Sequence, residues 1–169
     1  MYTKTMRILG IDPGTAIVGW AVLEIKSGQT SPVAYGHIST SPTLPLSKRI
    51  TEISRDLRAI SLKHTPDEAS VEELFFFKNQ KTAMAVSQAR GGILLTIEML
   101  GMKIFEYTPL QVKQSLTGYG RAEKRQIQIM VKSILKLTEI PKPDDVADAL
   151  ALALCHANSR KMNTLLDHQ

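Results

Sequence analysis

The first forty residues contain three short apolar or alternating segments, each separated from the next by Gly, Pro or Ser. Segments of this kind are typical of β-strands joined by turns, and their immediate succession favours antiparallel pairing. We predict strands at 6–12, 19–25 and 33–39. A sheet that buries these apolar faces needs a covering layer, so the rest of the chain must supply helices.

Beyond residue 40 the spacing of apolar residues switches between helical and extended periods. The pattern predicts, in order, a helix at 45–64, a strand at 68–75, a helix at 81–99, a strand at 103–107 and helices at 109–116, 121–137 and 144–158. Small residues crowd the start of the second helix, which suits either a buried helix or a dimer face. The order predicts an α/β fold, a mixed five-stranded sheet flanked by helices, in a single domain spanning 1–169.

Composition narrows the classes of protein that this chain can belong to. Hydrophobic residues make up 43% and charged residues 22%, close to globular averages. The longest apolar run, Ala149 to Cys155, is too short for a bilayer, and the N-terminus lacks the apolar core of a signal peptide. We therefore expect a cytoplasmic protein with no membrane partner. Cys155, the only cysteine, is consistent with a reducing compartment and with a core position.

The balance of charge favours an acidic partner. Lys and Arg number 21 against 16 Asp and Glu, giving a net charge of +5 and a pI near 9.4. The aromatic residues Trp20, Tyr35 and Phe105 are predicted to lie in the core, and the four histidines receive no chemical role.

Four carboxylates can meet at one edge of the predicted sheet. Asp12 ends the first strand and Glu72 lies near the end of the fourth, and sites in open α/β sheets form at such strand ends. Asp145 and Asp148 are three residues apart, so they share a face of the last helix's first turn. If that turn packs near the first strand, all four acids converge.

Acids at a helix start also have a simpler explanation, because they cap free amides and complement the helix dipole. Clustered anions repel one another, so convergence would require a cation. An all-oxygen site without His or Cys suits Mg²⁺, with Mn²⁺ as a substitute. Two such ions roughly 3.5 to 4 Å apart support in-line phosphodiester hydrolysis.

A basic cluster stands at the start of the predicted helix 121–137. Arg121, Lys124 and Arg125 lie where the helix dipole disfavours cations, so a bound phosphate would compensate them. Solvated surface charge explains the same residues equally well, because an exposed cation at the N-terminus of a helix costs only about 0.3 to 1 kcal/mol.

Six motifs occur along the chain: "GIDPG" at 10–14, "VEELFF" at 71–76, "QARG" at 88–91, "QVKQ" at 111–114, "GYGRAEK" at 118–124 and "ADALALA" at 147–153. In these motifs and their order the sequence resembles RuvC-type Holliday junction resolvases, which have an RNase H-like fold. The similarity runs from Ile8 to about Ala157.

The resemblance implies roles for individual residues. It implies that Asp12, Glu72, Asp145 and Asp148 are the catalytic, metal-binding acids, and it selects Glu72 rather than Glu73. Asp145 stands where some members of the family have His. The resemblance also implies that Lys113 and Lys124 bind DNA near the acids, and that Phe75 stacks on a base.

At the level of assembly, the resemblance implies a homodimer whose two sites make paired cuts in four-way junction DNA. It also implies cooperation with the branch-migration proteins RuvA and RuvB. Two-fold symmetry of the protein would match the approximate symmetry of such a junction.

Two alternatives remain open at this point. The turn Asp12-Pro-Gly-Thr15 also resembles the phosphate-binding turn of actin-like ATPases, although 169 residues leave no room for their second domain, and Trp20 stands where a Walker motif needs Lys. A non-catalytic junction-binding protein that kept the fold would share most of the pattern.

Overall fold

A computed structural model describes residues 5–74 and 80–166 and contains one five-stranded sheet. The strands are β1 (Met6–Asp12), β2 (Ile17–Lys26), β3 (Gln29–Ser39), β4 (Glu68–Glu72) and β5 (Lys103–Tyr107), in the spatial order β3-β2-β1-β4-β5. The first three strands pair antiparallel, whereas β4 is parallel to both β1 and β5. The predicted mixed five-stranded α/β sheet is confirmed.

The helices form a layer on each face of this sheet. They are α1 (Leu46–His64), α2 (Gln80–Met99), α3 (Pro109–Thr117), α4 (Lys124–Ile134) and α5 (Asp144–Leu166). Helices α1 and α2 cover one face, and α3, α4 and α5 cover the other. None of the helices within the described ranges is long and apolar enough to cross a membrane.

Strand alternation divides the buried residues into two cores. Ile8 and Leu9 are neighbours in β1 and both are fully buried, but they point to opposite faces. Ile8 packs with the α5 layer, whereas Leu9 packs with Ile53 and Ile93 of the α1 and α2 layer. Cys155 is buried in the first of these cores, as predicted.

Helix α5 lies directly on the sheet because two strand residues have no side chain. A Cβ atom at Gly10 would collide with the carbonyl oxygen of Ala149, and one at Gly19 would collide with the carbonyl oxygen of Asp145. These contacts hold the start of α5 over the beginning of β2, beside the end of β1.

Several sequence predictions need correction. Helix α4 begins at Lys124, so Arg121 lies in the preceding turn and not in the helix. The Glu123 N–H donates to Gln126 Oε1 at 2.7 Å, which starts the helix after Glu123. Tyr35 is 43% exposed and is not a core residue, because it lies on the edge strand β3.

Element ends also differ from their predicted positions. Strand β3 begins at Gln29 because Ser27 and Gly28 form the turn with positive φ, and helix α5 continues to Leu166. Phe75, predicted to stack on a base, lies outside the described residues.

Candidate active site

Two carboxylates end neighbouring parallel strands side by side. The register pairs Ile11 of β1 with Val71 of β4, so the next residues, Asp12 and Glu72, stand at the same level. Neighbouring strands lie about 4.8 Å apart, which brings these two acids within direct electrostatic reach. The structure therefore places Asp12 and Glu72 together, as the sequence predicts.

The first turn of α5 brings two further acids to the same edge. Asp12 pairs across the sheet with Gly19, and Gly19 is the residue against which the Asp145 backbone packs. Asp148 follows one helical turn later. Both Asp145 and Asp148 act electrostatically on Asp12, so the four predicted acids form one group.

Burial and mutual repulsion change the acidity of this group. Burial, followed by the charges of Glu72, Asp148 and Asp145, raises the pKa of Asp12 from 3.8 to about 8. Burial and the charge of Asp148 raise the pKa of Glu72 from 4.5 to about 7, although Lys124 opposes the shift. Burial also raises the pKa of Asp148 against the opposing effect of Lys124. Full ionisation of the group at neutral pH therefore requires additional positive charge.

Lys124 supplies part of that charge. Its Nζ lies 2.9 Å from Asp148 Oδ2 and 3.6 Å from Asp144 Oδ2. Partial burial alone would lower the pKa of Lys124, but the hydrogen bond and charge of Asp148 outweigh it and raise the pKa. The anion beside this lysine is therefore a carboxylate of the protein itself. Asp144 was not among the predicted site residues.

A cavity of about 220 Å³ opens beside the acids. Its lining includes Glu72, Asp148, Lys113 and Lys124, so both predicted lysines reach the site. Arg121 and Arg125 are exposed nearby in sequence, but neither lines this cavity. The structure thus separates the two lysines from the two arginines.

Arg90 has a contact at the site that the sequence does not predict. Its Nε donates to the backbone oxygen of Glu72 at 2.9 Å, and its guanidinium forms an ion pair with Glu106. This hydrogen bond holds the backbone at the end of β4, the segment that carries the Glu72 side chain. The "QARG" motif contains Arg90, but only the fold shows that α2 directs it to β4. Glu73, in contrast, lines a separate cavity with Arg90 and Glu106.

The chemistry of the donor set fits a hard divalent cation. All four side chains offer carboxylate oxygens, the ligands that Mg²⁺ and Mn²⁺ prefer. A cation would also relieve the repulsion that raises the pKa of Asp12 and Glu72. Within 5–74 and 80–166, no three His, Cys, Asp or Glu side chains already stand at metal-binding distances, and Lys124 contacts Asp148 there instead.

The mixed sheet with helices on both faces is an RNase H-like fold, which RuvC structures share, and the similarity to endodeoxyribonucleases identifies the chain as a nuclease. A family model described as "Crossover junction endodeoxyribonuclease RuvC" matches residues 8–156. The chain belongs to this RuvC family.

Individual relatives cover almost the whole chain. The RuvC of Brevibacillus brevis is 54% identical over 155 residues, 92% of this chain and 93% of the relative. That of Caldicellulosiruptor saccharolyticus is 56% identical over 152 residues, 89% and 92% of the two chains. The structure of Thermus thermophilus RuvC in complex with a Holliday junction substrate matches with a TM-score of 0.88 and 36% identity, covering 94% of this chain and 97% of that one.

Proposed function

We propose that this protein is a metal-dependent endodeoxyribonuclease that resolves four-way (Holliday) junctions in homologous recombination and DNA repair. It does so by paired phosphodiester hydrolysis on two symmetric strands. The observation that carries the proposal is the side-by-side placement of Asp12 and Glu72 under the start of α5. The junction-bound relative from Thermus thermophilus supports the choice of substrate.

The roles of the acids follow from their position. Asp12, Glu72, Asp145 and Asp148 would hold Mg²⁺, with Mn²⁺ as a substitute. A metal held by these residues would supply activation of a water molecule and stabilisation of the charge that develops on the phosphate. All four acids are half-buried, and partial removal from water strengthens the electrostatic attraction between their carboxylates and a cation.

The basic residues bind and orient the DNA backbone. Lys113 and Lys124 line the cavity beside the acids and contact the phosphates close to the cut. Arg121 and Arg125, exposed at the start of α4, contact phosphates farther along the strand. Phe75 follows β4 closely in sequence and stacks on a base near the junction centre.

A homodimer provides the second site that paired cuts require. Helix α2 exposes an apolar stripe at helical spacing, formed by Met84, Leu95 and Met99 around the open surface of Gly91. Leu95 is 62% exposed and Met99 is 73% exposed, which is unusual for large apolar side chains on one helix face. A second copy of the chain, packed against this stripe, would cover it.

The resemblance to the family supports the remaining functional assignments. The protein works in the cytoplasm as a single nuclease domain, together with RuvA and RuvB, which supply branch-migrated junctions.

The test compares a synthetic four-way junction with a linear duplex of the same sequence, with and without Mg²⁺. The wild type should cut only the junction, at symmetric positions, and only with Mg²⁺. Asp12→Asn should bind the junction without cutting it, whereas Asp56→Asn, which changes a partly exposed acid on α1 that is paired with Arg55, should cut normally. Equal cutting by Asp12→Asn and the wild type would remove Asp12 from the mechanism. Junction binding without cutting by the wild type would instead favour the non-catalytic alternative.

A further inference from the structure

A second cluster of polar side chains lies between α5 and strands β4 and β5. His156 Nε2 lies 2.6 Å from Glu68 Oε2, and Arg160 Nη1 donates to Glu68 Oε1 at 2.6 Å. The Tyr107 hydroxyl lies 2.7 Å from His156 Nδ1. Because Nε2 faces a carboxylate, it carries the ring proton, and Nδ1 accepts from Tyr107. Both oxygens of Glu68 and both nitrogens of His156 therefore have partners.

Burial of these polar side chains costs free energy. His156 is only 1% exposed and Glu68 is 9% exposed, so a carboxylate has been removed from water. Apolar residues of similar volume often stabilise a protein as well as such buried charged groups do. The best-attested use of a buried polar contact is to fix the register of two packed elements. The elements joined here are α5 and β4.

The path of α5 across the sheet shows what this register controls. The helix contacts β2 where Asp145 meets Gly19, β1 where Ala149 meets Gly10, and β4 where His156 meets Glu68. It therefore crosses three neighbouring strands diagonally.

The lengths of this crossing agree. Gly19 stands level with Asp12, and Glu68 stands level with Ile8, so the two end contacts are separated by four residues along the strands. That is about 13 Å along the strands and about 10 Å across two strand spacings, or about 16 Å diagonally. The eleven residue-to-residue steps from Asp145 to His156 span about 16 Å of helix. The length of this helical segment therefore matches the distance between its two end contacts.

We propose that Glu68 and His156 are positioning residues for the metal-binding acids. The two glycine contacts limit how closely α5 approaches the sheet, but they are steric and set no hydrogen-bond direction. The Glu68–His156 hydrogen bond is directional, so it fixes both the rotation of α5 and its position along its axis. It thereby holds Asp145 and Asp148 beside Asp12 and Glu72. This inference rests on the proposed function, because it assigns the four acids to a metal.

The experiment measures Mn²⁺ binding to the DNA-free protein by electron paramagnetic resonance, at a temperature where every variant is fully folded. His156→Leu removes both hydrogen bonds of the ring and should weaken Mn²⁺ binding a few-fold, less than the roughly tenfold loss expected for a direct hydrogen-bond partner of a metal ligand. His156→Gln retains a side-chain N–H for Glu68 and should recover most of the affinity. If His156→Leu does not fold, Glu68→Met, which removes the acceptor of the Nε2 hydrogen bond and leaves His156 in place, should still weaken binding measurably.

The matched control is Leu154→Ala, on the same helix. Leu154 is buried in the α5 core and lines a cavity beside the β2–β3 turn, away from Glu68. Its truncation should lower thermal stability while leaving Mn²⁺ affinity unchanged. Wild-type affinity in a folded His156→Leu or Glu68→Met protein, or an equal loss in Leu154→Ala, would overturn the proposal.

Asp12→Asn separates this inference from the proposed function. If Asp12→Asn weakens Mn²⁺ binding and His156→Leu does not, only the positioning role fails. If Asp12→Asn also binds Mn²⁺ like the wild type, the metal site itself is wrong.

Discussion

Replacing Asp12 by Asn should stabilise the metal-free protein while abolishing DNA cleavage. The folded carboxyl keeps its proton up to a pKa of about 8, whereas the unfolded one loses it above 3.8. Between these values the wild type releases a proton when it unfolds, so its stability falls as pH rises. Asn cannot ionise and carries no such penalty.

The size of the effect follows from the shift in pKa. Each pH unit within this range removes about 1.4 kcal/mol from the free energy of unfolding of the wild type. From roughly pH 5 to roughly pH 7, Asp12→Asn should therefore gain up to about 3 kcal/mol relative to the wild type. This is an upper limit, because Glu72 titrates in the same pH range and shares the proton uptake with Asp12.

Urea unfolding in the presence of a chelator, repeated across this pH range, measures the difference. Asp56→Asn should follow the wild type, because Asp56 is paired with Arg55 at the surface. Addition of Mg²⁺ should stabilise the wild type more than Asp12→Asn and narrow the gap. A gap that does not change with pH, or an Asp12→Asn protein less stable than the wild type at neutral pH, would refute the reasoning.

Other substitutions test the surrounding surfaces. Lys113→Ala should weaken junction cleavage and reduce the salt dependence of DNA binding, and unchanged rates across a salt series would contradict its phosphate contact. Leu95→Lys should convert a dimer into a monomer by analytical ultracentrifugation, whereas Lys48→Ala on α1 should not; a Leu95→Lys dimer would argue against the α2 interface. Phe75→Ala should impair junction cutting without lowering the thermal midpoint, and a large loss of stability would mark Phe75 as a core residue.

The sequence predicted the parts of the site that depend on local pattern. Asp12 follows an apolar strand and precedes a turn, so its place at a strand end follows from its immediate neighbours. The three-residue spacing of Asp145 and Asp148 likewise places them on one helical face. Glu72 and Glu73 could not be distinguished by alternation alone, because the choice depends on how β4 pairs with β1.

The parts that failed depend on contacts between distant segments. Tyr35 pairs with the fully buried Ala21, but it lies one strand farther out, at the sheet edge. Strand alternation predicts the face of the sheet towards which a side chain points. It does not predict how far the helices that cover this face extend. Arg90 and His156 show the same limit, since their partners Glu72 and Glu68 are far away in sequence.

The claim that these acids together bind a divalent metal is tested most directly by crystallography. Crystals of the protein are soaked in Mn²⁺, and data are collected at the manganese absorption edge. We predict an anomalous peak in contact with the carboxylates of Asp12 and Glu72, below the start of α5, and no such peak in Asp12→Asn. Manganese bound elsewhere, with none between these two strand ends in the wild type, would contradict it.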